Sequence, residues 1–144
     1  MRKIDKIIIH CSATKAGKDF RRADIERWHK ERRFPMYGGT YCGYHYVIDL
    51  DGRIEIGKEI KYTGQHCKGQ NVGSIGICYI GGLDADTGKP KNTMTAGQVN
   101  SLFVLVEFLH TCFPQAKVYG HCHFSARDCP CFDVRDYFPP EWCG

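Results

Sequence analysis

The spacing of apolar and polar positions predicts alternating strands and helices. Residues 6–10 form an apolar, β-branched run, which is typical of a strand buried on both faces. Residues 20–33 place large side chains on one stripe at helical spacing, and a Phe-Pro pair then ends the helix. Thr95 and Gln98 form a capping-box pattern, which predicts a second helix that continues to residue 111.

The remaining segments read as strands and a final helical turn. Residues 43–50 and 53–56 flank Asp51-Gly52, a dipeptide that suits a two-residue hairpin turn. Strands are also predicted at 74–80 and 117–119, and a helical turn at 134–138. This order predicts an α/β fold, a single domain over 1–144 in which helices flank a central mixed β-sheet.

Composition narrows the class of protein only moderately. The chain has 144 residues, of which 42% are hydrophobic and 25% are charged, as in ordinary globular domains. Its formal charge of +4 favours an anionic partner but does not indicate which kind. We expect no nucleic acid as a partner, because no ordered aromatic and basic motif is present. We also expect no membrane segment and a monomeric state.

Nine cysteines are present, without the regular spacing of a disulfide framework. The first residues lack the long apolar stretch and the small-residue cleavage site of a signal peptide. We therefore expect synthesis in a reducing cytosol and mostly free thiols.

Three widely separated residues have side chains that could bind one metal ion. His10 ends the first predicted strand, His121 follows the last one, and Cys129 comes eight residues later. If the fold brings them together, two imidazoles and a thiolate would hold zinc and leave one position for water, the arrangement of hydrolytic zinc. Two alternatives remain open: a closed structural zinc site made only by the C-terminal residues His121, His123, Cys129 and Cys131, and nucleophilic cysteine catalysis.

Seven segments occur in an order that resembles a known family. They are HCSAT (10–14), IERWHK (25–30), GYHYVI (43–48), DGR (51–53), GQHCKGQN (64–71), SIGIC (74–78) and ARDCPCFD (126–133). The ordered set resembles the zinc-dependent N-acetylmuramoyl-L-alanine amidases, which include the phage lysozyme of the T-seven type and the peptidoglycan recognition proteins. The likeness covers nearly the whole chain and is greatest to the phage lysozyme type.

The resemblance implies roles for five residues. Zinc would be the cofactor, bound by His10, His121 and Cys129. Tyr44 matches the family's catalytic tyrosine, and Arg127 stands where the phage lysozyme type has a catalytic lysine. Arginine keeps the positive charge, so it could still stabilise an oxyanion, although its planar fork differs from an ammonium group.

The resemblance also implies substrate, partners and place of action. The reaction would be hydrolysis of the amide between N-acetylmuramic acid and L-alanine, with peptidoglycan or muropeptide fragments as partners and with His66 and Asn71 contacting substrate. The alternative is a non-catalytic peptidoglycan-binding module on the same fold, and the complete ligand set favours the enzyme. We expect cytoplasmic synthesis without a signal peptide, then action on the wall after lysis, as for an endolysin, or after non-classical export, or on imported fragments.

Overall fold

The computed structural model describes all 144 residues, which form seven strands and two α-helices. In chain order the elements are β1 (Lys6–Cys11), β2 (Thr14–Lys15), α1 (Arg22–Glu31), β3 (Tyr46–Ile48), β4 (Ile54–Ile56), β5 (Ser74–Tyr79), β6 (Gly82–Leu83), α2 (Ala96–Cys112) and β7 (Lys117–Gly120). Three short 3-10 helices follow at His121–His123, Val134–Asp136 and Pro140–Trp142. No helix is both long and apolar enough to cross a lipid bilayer.

The main sheet has five strands in the order β4-β3-β5-β1-β7. Strand β1 lies inside the sheet, parallel to β5 on one side and to β7 on the other. Strand β3 runs parallel to β5, while β4 pairs with β3 in antiparallel fashion. This is the mixed sheet that the sequence predicted, and Ile7, Ile8 and Ile9 of β1 are fully buried, as expected for a central strand.

A helix covers each face of the sheet. Leu102 and Leu109 of α2 belong to the same buried cluster as Ile75 and Ile77 of β5. On the other face, Ile25 of α1 shares a smaller buried cluster with residues of β3 and β5. Alternate residues of β5 therefore face different helices, because successive side chains of a strand point to opposite faces.

The capping box predicted for α2 is present. The N–H of Gln98 donates to Thr95 Oγ1 at 3.1 Å, and the N–H of Thr95 donates to Gln98 Oε1 at 3.0 Å. The buried Gln98 amide also donates to the carbonyls of Ile48 and Ile80, at 3.2 and 2.9 Å. One side chain thus begins the helix and attaches it to β3 and to the residue after β5.

Three parts of the fold differ from the sequence prediction. The β3–β4 hairpin pairs Ile48 with Ile54, so its loop is longer than the two-residue turn predicted at Asp51-Gly52. The strand predicted over 43–50 forms only at Tyr46–Ile48, because the backbone of Gly43 and Tyr44 bonds instead to Gln65 and Lys58. The two-residue strands β2 and β6, which pair in a separate small sheet, were not predicted. Elements of this length have no hydrophobic period that a sequence pattern could reveal.

Candidate metal centre and its surroundings

The fold brings His10, His121 and Cys129 together. One potential ligand atom from each residue lies within 4.8 Å of the others. His10 is on β1, and His121 comes directly after β7. Because β1 and β7 are parallel neighbours, their carboxyl ends meet at one edge of the sheet. Cys129 reaches the same edge, where its Sγ accepts the backbone N–H of Cys11 at 3.0 Å.

The three donors fit zinc by their chemistry. Two imidazoles and a thiolate are a donor set that this ion commonly takes in proteins, and three ligands leave one position open. Burial lowers the pKa of His10 far below its usual value, and burial with the nearby Arg127 charge lowers the pKa of His121. Both rings are therefore neutral near pH 7, which is the form that binds a metal. The N–H that points at Cys129 suits a negatively charged sulfur.

His66 contacts His10 directly. Its Nδ1 lies 2.8 Å from His10 Nε2, while its Nε2 lies 3.1 Å from the Ser74 hydroxyl. The Asn71 side-chain oxygen accepts the backbone N–H groups of His66 and Cys67, both at 2.9 Å. Both His66 and Asn71 line the cavity described below, so substrate contact stays a prediction for each.

Tyr44 lies beside His10, with 5.1 Å between the ring centroids. Burial raises the pKa of the Tyr44 phenol well above its usual value, with smaller contributions from neighbouring thiols such as Cys78. The hydroxyl is therefore protonated near pH 7 and can donate a hydrogen bond, but it is a poor base.

His29 is a part of the site for which the sequence indicated a place in the wall of a groove but no specific contact. Its Nδ1 accepts the backbone N–H of Gly43 at 2.9 Å, which fixes the chain next to Tyr44. Burial lowers the pKa of His29 to about 4, so the ring is neutral and able to accept this bond. The only sequence signal was its helical spacing from Ile25 on α1, which indicates an inward-facing position without indicating a role.

Arg127 is exposed at the edge of the site, and its guanidinium forms no salt bridge. Asp133, one of its possible partners, pairs with Arg135 at 3.4 Å instead. The positive charge of Arg127 is close enough to His121 to lower the pKa of that ring, after burial. A free cation beside the three donors can approach negative charge on a bound molecule.

A cavity of about 590 Å³ opens next to the three donors. Tyr44, His66 and Arg127 contribute to its wall, and so do the cations Arg32 and Lys68. No aspartate or glutamate lines it, so the wall is positively charged. Such a cavity favours an anionic ligand.

Neither alternative chemistry is supported by the geometry. Neither His123 nor Cys131 belongs to the group of donors close enough to share one ion, so neither completes a closed four-ligand site. The Cys131 thiol instead donates to the carbonyl of Gly82. The Cys11 thiol, next to His10 in the chain, has a pKa raised far above its usual value by its contact with Cys129 and by burial. A thiol of this kind is a weak nucleophile. All nine cysteines are free.

Comparison with known proteins identifies the family. The profile of the N-acetylmuramoyl-L-alanine amidases matches residues 1–132. The endolysin of Escherichia phage T7 is 37% identical over 134 residues, which cover 93% of this chain and 85% of the phage protein.

Solved structures share the fold. The amidase LysC of Clostridium intestinale superimposes with a TM-score of 0.73 at 24% identity, covering 97% of this chain and 82% of LysC. The Drosophila peptidoglycan recognition protein SD gives a TM-score of 0.76 at 19% identity, covering 99% and 84%. The single-domain α/β architecture predicted from the sequence is thus confirmed. The profile match and the phage relative together show that the chain belongs to the N-acetylmuramoyl-L-alanine amidase family.

Proposed function

We propose that this protein hydrolyses the amide between N-acetylmuramic acid and L-alanine in peptidoglycan, using zinc bound by His10, His121 and Cys129. The enzyme class follows from family membership; the metal, the residues and a single catalytic domain over 1–144 are our proposal. One observation supports it most directly: three zinc-type donors converge within 4.8 Å beside a cavity whose charged side chains are all cationic.

The residues around the donors suit amide hydrolysis. Zinc at this place would lower the pKa of water and polarise a carbonyl group. The protonated Tyr44 hydroxyl can donate a hydrogen bond to the oxygen that becomes negative during attack. Arg127 adds a positive charge to the wall of the same cavity. His29 holds the backbone beside Tyr44, so the phenol is placed before substrate arrives.

Peptidoglycan or its muropeptide fragments are the proposed partners. Their stem peptides carry carboxylates, and Arg32, Lys68 and Arg127 would attract them. We propose that a monomer acts on the wall after release by lysis, in the manner of an endolysin. A binding module without catalysis is the competing function on this fold, and the complete donor set argues against it.

Elemental analysis of zinc, combined with an assay for new amino groups in purified cell walls, tests the proposal. We expect one zinc per wild-type chain and release of L-alanine amino groups, and Cys129→Ser should lose both. Cys131→Ser is the matched control, because its thiol is two residues away and contacts the Gly82 carbonyl. Equal zinc in wild type and Cys129→Ser would contradict the ligand assignment, and wall binding without amino-group release would identify a binding module.

A further inference from the structure

A row of hydrogen-bonding groups leads from His10 through His66 to Ser74. His10 Nε2 meets His66 Nδ1 at 2.8 Å, and His66 Nε2 meets Ser74 Oγ at 3.1 Å. The Ser74 hydroxyl in turn donates to the backbone carbonyl of Asn71 at 3.2 Å. The Ser74 side chain is buried, and the His10 ring is nearly so. The direction of this last hydrogen bond is therefore defined, because a carbonyl oxygen can only accept hydrogen bonds.

The position of each ring proton follows from the direction of the Ser74 hydrogen bond. With the Ser74 O–H donating to the Asn71 carbonyl, the Ser74 oxygen accepts from His66, which then carries its proton on Nε2. A neutral imidazole has one donor and one acceptor, so His66 Nδ1 accepts from His10 Nε2. The lone pair on His10 Nδ1 is then the one left for a ligand.

The His66 ring is held so that these contacts persist. A Cβ atom at Gly76 would lie 2.6 Å from the ring, and one at Gly64 would lie 3.0 Å from it, so both glycines leave space that the ring fills. The backbone N–H of His66 is bonded to Asn71 Oδ1 at 2.9 Å. Neighbours on both sides therefore prevent the ring from turning.

We propose that His66 is a positioning residue: together with Ser74 it holds His10 in the tautomer whose Nδ1 is free to bind the metal. The inference rests on the zinc site proposed above and gives that site a second layer of residues. Hydrogen-bonded partners of this kind orient a ligand ring and fix its proton, and losing them typically weakens metal binding by about 10- to 100-fold.

The proton positions can be read in the metal-free protein. Long-range ¹H–¹⁵N spectra of histidine rings distinguish Nε2–H from Nδ1–H tautomers, and assignments come from single His10 and His66 variants. We expect both rings to carry the proton on Nε2. A proton on Nδ1 of either ring would overturn the proposal. This measurement needs no zinc and no activity, so it judges the positioning role independently of the amidase reaction.

If His66 orients His10 for metal binding, its loss should weaken zinc binding. Zinc affinity can be measured by competition with a chromophoric chelator. We expect His66→Leu, which has no acceptor, to bind zinc about 10- to 100-fold more weakly than wild type. His66→Asn is the matched variant, because its Oδ1 can replace Nδ1 as acceptor and should restore affinity to within about threefold. Ser74→Ala, which touches neither the metal nor substrate, should give a smaller loss in the same direction.

The outcomes separate the two proposals. Tight zinc binding by wild type and equal affinity in His66→Leu would refute the positioning role and leave the amidase proposal intact. Failure of wild type to bind zinc would overturn both. If His66→Leu does not fold, the tautomers of the wild-type protein and the affinity of Ser74→Ala still decide the question.

Discussion

Replacing Asp49 by asparagine should change how stability depends on pH. The Asp49 side chain is completely buried, its Oδ1 meets no donor, and its Oδ2 lies 3.2 Å from Arg21 Nη1. Burial and the neighbouring Glu55 carboxylate raise the pKa of Asp49 from 3.8 to about 7. Glu55 lies at the start of α1, where its Oε2 accepts the N–H of Arg22 at 3.0 Å.

The sign of the effect follows from the two pKa values. In the folded protein Asp49 holds its proton up to about pH 7, whereas the unfolded chain releases it near 3.8. Its contribution to stability is thus fully present below pH 3.8 and is lost as the pH rises through 7. Between about pH 5 and pH 8 the loss would be at most ~2.7 kcal/mol. Because Glu55, whose charge contributes to the raised pKa, is partly exposed, solvent screening reduces this to about 1.5 kcal/mol.

Urea unfolding at pH 5 and at pH 8 measures how the free energy of unfolding changes with pH in wild type and in Asp49→Asn. Asp49→Asn has no proton to lose, so its free energy of unfolding should rise relative to wild type by about 1.5 kcal/mol between pH 5 and pH 8. Asp51→Asn is the control, because Asp51 is 59% exposed and lies 3.7 Å from the same arginine. A constant gap between Asp49→Asn and wild type across this range would refute the reasoning.

Three further changes test the site and its packing. Tyr44→Phe removes one donor and should lower kcat by about 10²- to 10³-fold with unchanged zinc content; an equal kcat would exclude the hydroxyl from the reaction. Arg127→Lys should retain more kcat than Arg127→Ala, because it keeps the charge; identical kcat in both variants would contradict a charge role. Gly76→Ala places a Cβ 2.6 Å from the buried His66 ring and should cost about 1–3 kcal/mol in urea unfolding, whereas a stabilised variant would show that the ring can move.

Long periodic segments made much of the fold predictable. The apolar run before His10 predicted β1, and the Thr95 capping box predicted the start of α2. Two potential ligands could be located because each directly follows or ends a strand, and parallel strands end at one edge. Histidine and cysteine are common zinc ligands, so these residues could be recognised as candidates however far apart they lie in the sequence.

Contacts between aperiodic segments could not be predicted. The loop that carries His66 and Asn71 has no hydrophobic period, so nothing in the sequence placed the His66 ring against His10. His29 looked like a helix residue, and its bond to Gly43 depends on a loop 14 residues away. Asp49 looked like an ordinary hairpin residue, and its burial arises only when Arg21 and Glu55 pack around it.

The pairing of β1 with β7 has a consequence for protein synthesis. Ile9 pairs with Gly120 in the sheet, and the Cys11 N–H donates to Cys129 Sγ, 118 residues later in the chain. A growing polypeptide that has emerged from the ribosome only as far as α2 therefore lacks two of the three donors, however well its first half has folded. Contacts between such distant positions also form slowly. The proposed zinc site can therefore form only after residue 129 has been synthesised.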